Sequence, residues 1–226
     1  MCFSAEASFT AAAILIPAGA LATQKAYRTD QRYLPFAALP LLLGLQQLFE
    51  GLVWTGNAWS SAAMVQRFSF AYMFFTWLAW PVWVPLSTYF LEPCRRRHIY
   101  LLFAIIGGVF GGVQYLPYFA HDGWLVTRFL PYAVSYQGTV LFDFIVGRVT
   151  TNALYLFVIL VPLLTSSNRH ARIFGVLVSA VAIVTYLFFQ FAYISVFCFG
   201  AALMSLYIVW VVYQQPAPDS CVPARS

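Results

Sequence analysis

Charged side chains are scarce in this sequence. Asp, Glu, Lys and Arg make up 8% of the 226 residues, whereas about a quarter of a typical soluble domain is charged. Hydrophobic residues make up 62% of the chain. The shortage of charge excludes an ordinary water-soluble domain. The basic residues behind the net charge of +5 fall in short loops between apolar runs, so nucleic acid is not an expected partner.

Lysine and histidine are rare where intramembrane chemistry would need them. The only lysine, Lys25, falls in a predicted loop, which excludes a retinal-type Schiff base within a span. The three histidines, His98, His121 and His170, also fall in predicted loops. This placement excludes bis-histidine haem and the multi-histidine site of ceramidase-like zinc hydrolases. The H-E-x-x-H motif of site-2-type metalloproteases is absent, and the four cysteines show no C-x-x-C spacing.

Apolar runs recur along the chain, each near the roughly 20 residues that cross a hydrocarbon core of about 30 Å. The sequence predicts an all-α, polytopic membrane bundle of seven transmembrane helices over residues 1–213. The polar, Pro-rich tail at 214–226 is predicted to be disordered and cytoplasmic. The last two spans form one continuous apolar run, so six spans with one long tilted helix is the alternative. The predicted spans are Ser4–Thr23, Leu34–Trp54, Phe68–Phe90, Ile99–Phe119, Val149–Thr165, Ile173–Gln190 and Ile194–Tyr213.

Three alternate loops hold most of the basic residues and set the predicted orientation. They are the stretches at 24–33, 92–98 and 166–172. Because short basic loops stay on the cytoplasmic side, we expect the N-terminus outside and the C-terminus inside. The expected partner is the lipid bilayer, and the expected location is a bacterial inner membrane.

Prolines and glycines predict two features of helix packing. Pro81 and Pro85 lie inside the third span, where a kink is expected. In the fourth span, Gly107, Gly108, Gly111 and Gly112 form a surface of small residues that allows another helix to approach closely.

A polar stripe interrupts the second span. Gln46, Gln47 and Glu50 lie within an arc of about 100° on a helix, because they are separated by three or four residues. With this span running outwards to Trp54, Glu50 lies about 6 Å below its outer end at 1.5 Å per residue. An intramembrane carboxylate is costly unless it is paired or hydrated. We therefore expect the stripe to face an outward-opening polar site in the bundle.

Two thiols are predicted to reach the level of Glu50. Cys2 precedes the first span at its outer end, and Ser195 and Cys198 occupy the first turns of the seventh span. The outer loop from Ala120 to Arg148 supplies His121, Asp122 and Asp143 and can fold over the same region.

Four motifs carry a resemblance to a known group of proteins. They are MCFSAEASF at the start, LPFAALPLLLGLQQLFEGLVW, WPVWVPL followed by LEPCRRR, and FQFAYISVFCFGAAL. These stretches resemble an uncharacterised bacterial seven-helix integral membrane protein family whose members begin Met-Cys-Phe-Ser-Ala. The resemblance implies a seven-helix bundle and draws attention to Cys2, Gln46, Gln47, Glu50 and Cys198. Phe197 departs from the tryptophan that similar proteins have before the last of these cysteines.

The leading functional hypothesis is a zinc-dependent hydrolase or hydratase with an outward-facing thiolate and carboxylate site. Cys2, Glu50 and Cys198 are the expected zinc ligands, with His121 or water as the fourth. Metal-activated water would supply the chemistry, and Glu50 is the candidate catalytic residue. Gln46 or Gln47 would orient the substrate.

The alternative hypotheses need no catalysis. In one, the protein is a small-ligand sensor or transporter whose polar pocket contains Gln46, Gln47, Glu50 and Gln190. In another, it is a structural membrane subunit that requires a partner. A disulfide between Cys2 and Cys198 is the alternative to metal binding by these thiols. The sequence leaves the substrate and the oligomeric state open.

Overall fold

The computed structural model describes residues 4–93, 95–121, 123–130, 133–138, 141–189 and 192–214, and these are mostly helical. The helices are α1 (Ala5–Thr29), α2 (Leu34–Ala37), α3 (Leu39–Ala58), α4 (Ala62–Phe74), α5 (Trp80–Leu91), α6 (Arg97–Tyr115), α7 (Pro117–Ala120), α8 (Leu141–Val146), α9 (Arg148–Thr165), α10 (Arg169–Phe188), α11 (Tyr193–Met204) and α12 (Leu206–Gln214). A 3₁₀ turn at Gln31–Tyr33 precedes α2, and a π-helical turn at Phe75–Ala79 joins α4 to α5. The strands are β1 (Leu125–Leu130) and β2 (Ala133–Gly138).

Six helical segments in the described part of the chain are long and apolar enough to cross a membrane. Their outward surfaces carry large exposed apolar side chains, including Ile105, Val109 and Ile183, as a surface that faces lipid does. The chain is therefore a multi-pass helical membrane protein. The six segments are Ala5–Thr29, Gln31–Ala58, Arg97–Ala120, Arg148–Thr165, Arg169–Phe188 and Tyr193–Gln214.

The last apolar run contains two helical segments rather than one. α10 ends at Phe188 and α11 begins at Tyr193. The interruption lies within the FFQFAYIS stretch, between the predicted sixth and seventh spans. The last described helix ends at Gln214. The predicted disordered tail lies outside the described residues, apart from Gln214.

The helical run Ala62–Leu91 has a π-helical turn at Phe75–Ala79, just before Pro81, and α5 continues through Pro85; a kink was predicted at these two prolines. Proline has no N–H, so it cannot donate to the carbonyl of Trp77 one turn earlier. The chain widens into the π-helical turn just before this point, where the Trp80 N–H bonds to the Phe75 carbonyl. A π turn displaces the side chains that follow it, and such turns are frequent at functional sites.

The β-hairpin departs from the all-α prediction, which treated residues 120–148 as a loop. β1 and β2 pair antiparallel, with Leu125 opposite Gly138. The hairpin inserts Val134 and Tyr136 into the helical core, where both are buried. Thr127 meets Ser69 on α4 at 2.7 Å between hydroxyl oxygens. The hairpin thus covers one end of the bundle, which we call the hairpin end.

The opposite end of the bundle, which we call the arginine end, carries the loops around Arg32, around Arg96 and at 166–168, and Arg169 begins α10 directly after the last of these. Glu92 is buried there, and its Oε1 accepts hydrogen bonds from the Ser166 hydroxyl and the Ser167 N–H, both at 2.6 Å. The Asn168 amide donates to the Tyr33 hydroxyl at 2.6 Å. These contacts join the loops into one polar layer.

Replacing Glu92 by alanine is expected to lower the free energy of unfolding by about 2–4 kcal/mol, because the buried Ser166 hydroxyl and the part-buried Ser167 N–H lose their acceptor. Glu92→Gln is the matched control. It keeps one side-chain oxygen and should lose less than half as much. Thermal unfolding in detergent measures both values, and equal losses in the two variants would contradict this role for the Glu92 oxygen.

Candidate functional site

The polar stripe of α3 faces the interior of the bundle. Gln46 and Gln47 are 0% exposed and Glu50 is 1% exposed. Gly51 lies next to Glu50, and a Cβ at that position would lie 2.7 Å from the Phe9 ring on α1. A neighbouring side of α3 is thus closed by tight packing against α1, and the stripe contacts the π-helical turn, α5 and α11.

Glu50 is linked directly to the start of α11. The Ser195 hydroxyl donates to Glu50 Oε1, and Ser195 is fully buried. Gln47 lies beside the Glu50 side chain. Among the described residues, Glu50 Oε2 and both amide atoms of Gln47 have no hydrogen-bond partner. The Gln47 side chain nonetheless interacts with the Glu50 carboxylate, so these three buried polar atoms lie together.

A second set of contacts surrounds Gln46 and involves the π-helical turn. The Trp80 Nε1–H donates to Gln46 Oε1 at 2.9 Å. The Gln46 Nε2 atom donates to Thr76 Oγ1 at 3.2 Å and to Cys198 Sγ at 3.4 Å. Because both ends of the Gln46 amide are engaged, its orientation is fixed. The network connects α3, the π turn and α11.

An aromatic pair connects these buried groups to the hairpin. Tyr136 of β2 stacks on Tyr72 of α4 with ring centroids 4.7 Å apart. Tyr72 in turn lies near Cys198 and Glu50. Burial raises the pKa of Tyr136 well above its ordinary value. The Tyr136 hydroxyl therefore stays protonated and can donate a hydrogen bond at any physiological pH.

A cavity of about 550 Å³, which we call the vestibule, lies beneath the hairpin. The ion pair between Arg148 Nε and Asp143 Oδ2, at 2.8 Å, forms part of its wall. Tyr136 brings the aromatic pair to its surface. The lining residues are Met73, Trp77, Tyr118, Gly123, Val126, Ser135, Tyr136, Gln137, Gly138, Asp143, Arg148, Asn152, Ala192, Tyr193 and Ile194.

A narrow space continues from the vestibule towards Cys198. It measures about 10 Å³, which is room for roughly one water molecule. Trp77, Asn152, Tyr193 and Ile194 line both spaces. The narrow space also touches Thr76 and Cys198, two members of the Gln46 network. The vestibule and the buried polar network are therefore adjacent.

The structure places the predicted site residues in three groups. Gln46, Gln47, Glu50 and Cys198 come together in the core. Cys2 and Gln190 lie outside the described residues. His121 is exposed and stacks on Trp124, with ring centroids 4.3 Å apart.

The predicted zinc ligands are only partly brought together. Within the described ranges, no three or more His, Cys, Asp or Glu side chains form a group that could hold a metal ion. His121 therefore does not join Glu50 and Cys198 in such a group. The metal prediction and the Cys2–Cys198 disulfide both depend on Cys2, so they stay predictions.

Several site residues were missed by the sequence analysis. Tyr72, Thr76 and Trp80 recur at four-residue spacing along the third span, so a helical-face analysis of that aromatic stretch could have found them. Tyr118, Tyr136 and Arg148 carried no such signal, because only the folded hairpin brings them to the vestibule.

Comparison with known proteins adds a family assignment. The family model described as a family of unknown function, DUF6629, matches residues 1–222 of the chain. No curated protein and no solved structure matches it.

Proposed function

Because the chain belongs to this family of unknown function, we propose its role from the vestibule: a non-catalytic membrane protein that binds a small polar ligand, as a sensor or transporter does. One observation carries the proposal. Tyr118 OH and Tyr136 OH belong to buried side chains that line the vestibule, and neither has a hydrogen bond of normal geometry among the described residues. Trp77 lies on the same wall and interacts with Tyr118. Buried polar groups are normally satisfied, so such a cluster marks a place for a ligand or ordered water.

The buried network supplies the inner wall of the proposed binding site. The Tyr72–Tyr136 stack stands between the vestibule and the group formed by Glu50 and Cys198. Movement of Tyr136 on binding would be transmitted to α3 and α11, which the Ser195–Glu50 contact joins. Gln46 and Gln47 serve in this proposal as polar groups next to the ligand path, without a catalytic step.

The proposal includes seven membrane crossings. The run Ala62–Leu91 is long enough to cross, and its π-helical turn separates it into two shorter α-helices. With this run as the third crossing, the connections between successive segments lie alternately at the two ends of the bundle. The arginine end then faces the cytoplasm, and the hairpin end and N-terminus face outwards. A bacterial inner membrane suits this orientation.

The zinc-dependent hydrolase or hydratase is the competing proposal. It needs Cys2 to join Glu50 and Cys198. Glu50 is bonded to Ser195, and Cys198 contacts Gln46 and Thr76. The donor set in the described residues is two groups, fewer than the three protein ligands of catalytic zinc sites. Binding without catalysis is supported by more of the described structure.

Cysteine labelling tests the vestibule and the orientation together. In a Cys2→Ser, Cys94→Ser, Cys221→Ser background, we expect Asn152→Cys to react with a small membrane-impermeant thiol reagent added outside intact cells. Asn152 is half-buried and lines the vestibule, so the reagent must enter the vestibule to reach it.

Two exposed positions are the controls for this labelling. Ser60→Cys at the hairpin end should react from outside, and Arg96→Cys at the arginine end should react only after permeabilisation. If Ser60→Cys is labelled from outside and Asn152→Cys is not, the proposal that the vestibule is accessible from outside is wrong. Labelling of Arg96→Cys from outside would reverse the orientation.

A further inference from the structure

The vestibule presents an excess of hydrogen-bond donors. Tyr118 is 2% exposed and Tyr136 6%, and neither hydroxyl has a hydrogen bond of normal geometry among the described residues. The Trp77 indole, which is 4% exposed, interacts with Tyr118. An indole N–H can only donate, and a tyrosine hydroxyl can donate one hydrogen bond. When the indole N–H donates to Tyr118, both tyrosine hydroxyls still have a proton to donate. A ligand that satisfies these two hydroxyls must bring acceptor atoms.

Positive charge lies at the same wall. Arg148 is the first residue of α9, an 18-residue helix that begins without a side-chain cap. Its Nε bonds to Asp143 and its Nη2 donates to the Gly138 carbonyl at 3.0 Å. A guanidinium has five N–H donors, so further donors remain. The unpaired N–H groups at the start of a helix add a partial positive charge that favours anions.

Asp143 adds a second requirement. Its Oδ2 is paired with Arg148, whereas its buried Oδ1 has no partner among the described residues. This free carboxylate oxygen can only accept. A ligand that binds beside it must therefore also carry a donor, such as a hydroxyl group.

We propose that the vestibule binds a ligand through an anionic oxygen group, a phosphate or carboxylate, on a molecule that also carries a hydroxyl. The anionic group lies against Arg148 and the start of α9 and accepts from Tyr118 and Tyr136, while the hydroxyl donates to Asp143. This assignment rests on the proposed function and names the chemical class of its ligand. Free hydroxylated phosphates and phosphatidylglycerol headgroups share this chemistry.

A cationic ligand is the main rival, because Trp77, Tyr118, Tyr136 and Tyr193 could surround an ammonium group. The charges favour the anion. Arg148 neutralises Asp143, and the start of α9 adds a positive field, so a cation would meet net repulsion at this wall.

Binding to the purified full-length protein in detergent tests the assignment. The probes are glycerol 3-phosphate, choline as the cationic control and glycerol as the uncharged control. A parallel arm compares phosphatidylglycerol with phosphatidylcholine in nanodiscs. We expect glycerol 3-phosphate or phosphatidylglycerol to raise the melting temperature and to protect Asn152→Cys from labelling, with no effect of choline. A response to the lipid alone assigns the ligand to a headgroup, and a response to the free ester alone assigns it to a solute.

Tyr118→Phe and Tyr136→Phe make the test specific. Each removes one unpartnered hydroxyl and keeps the ring, so the ligand-free melting temperature should hold or rise. Each should weaken binding roughly tenfold, because a hydrogen bond to a charged group is lost. Phe129→Leu, at a residue outside the vestibule lining, should leave affinity unchanged.

Different results would contradict the anionic ligand and the binding function. Choline binding without a response to phosphate overturns the anionic assignment and leaves the binding function standing. Reactive Asn152→Cys with no response to any phosphate probe also overturns the assignment. An unreactive Asn152→Cys beside a reactive Ser60→Cys overturns the binding function itself.

Discussion

Glu50→Ala is expected to lower the free energy of unfolding by about 2–5 kcal/mol, whereas Glu50→Gln should stay within about 1 kcal/mol of the wild type. Alanine removes a fully buried side chain, creates a cavity and leaves the Ser195 hydroxyl without an acceptor. Glutamine has nearly the same shape, and its oxygen can still accept from Ser195. An amide is also cheaper to bury in a membrane protein than a carboxylate.

Thermal unfolding in detergent measures this difference, since about 1 kcal/mol corresponds to roughly 2–4 °C for a chain of this size. Ser195→Ala is the reciprocal variant. In a double-mutant cycle, Glu50→Ala and Ser195→Ala should show coupling, because they remove the two sides of one hydrogen bond. Independent effects of the two changes would show that the Ser195–Glu50 contact does not stabilise the bundle.

Elemental analysis of the same proteins tests the zinc hypothesis. If Cys2, Glu50 and Cys198 hold zinc, the wild type should carry one zinc ion per chain that Glu50→Gln and Cys198→Ser both lose. If the cluster serves ligand binding alone, all three proteins should have the same zinc content. Alkylation of denatured, chelator-treated protein then reports whether Cys2 and Cys198 are free thiols or a disulfide.

Gly111→Ala is expected to destabilise the bundle by about 1–3 kcal/mol or more. A Cβ at Gly111 would lie 2.0 Å from the Trp77 carbonyl oxygen, and one at Gly107 would lie 2.0 Å from the Pro81 carbonyl oxygen. Both neighbours are backbone atoms of the irregular third segment, so neither can move aside as a flexible side chain would. Inserting a methyl group must separate α6 from this segment.

Gly112→Ala provides the matched control, because a Cβ at Gly112 has no atom within 4 Å. Alanine favours helix over glycine by up to about 1 kcal/mol, so this variant should be neutral or slightly stabilising. Gly111→Ala should also weaken ligand binding, because Trp77 lines the vestibule. Equal stability of the two alanine variants would contradict the close packing of α6.

The apolar runs determined that this is a membrane protein. A helix that crosses lipid needs about 20 nearly uncharged residues in a row, and few other structures need such a run. Helical periodicity likewise determined that Gln46, Gln47 and Glu50 share one face, and the cost of an exposed intramembrane carboxylate placed that face inside the bundle. Gly107 and Gly111 marked a close helix contact for a similar reason, since only small residues permit it.

Tertiary structure alone decided what completes the site. The hairpin is a minor element in a helical sequence, and its core insertion depends on contacts with α4 and α11 rather than on local pattern. Tyr118, Tyr136 and Arg148 are separated by 12 to 30 residues along the chain and by more than 60 from Glu50, so spacing could not bring them together. Which side chains meet across a bundle depends on how the helices rotate and pack against one another, and that packing placed the unpartnered hydroxyls beside Arg148 and Asp143.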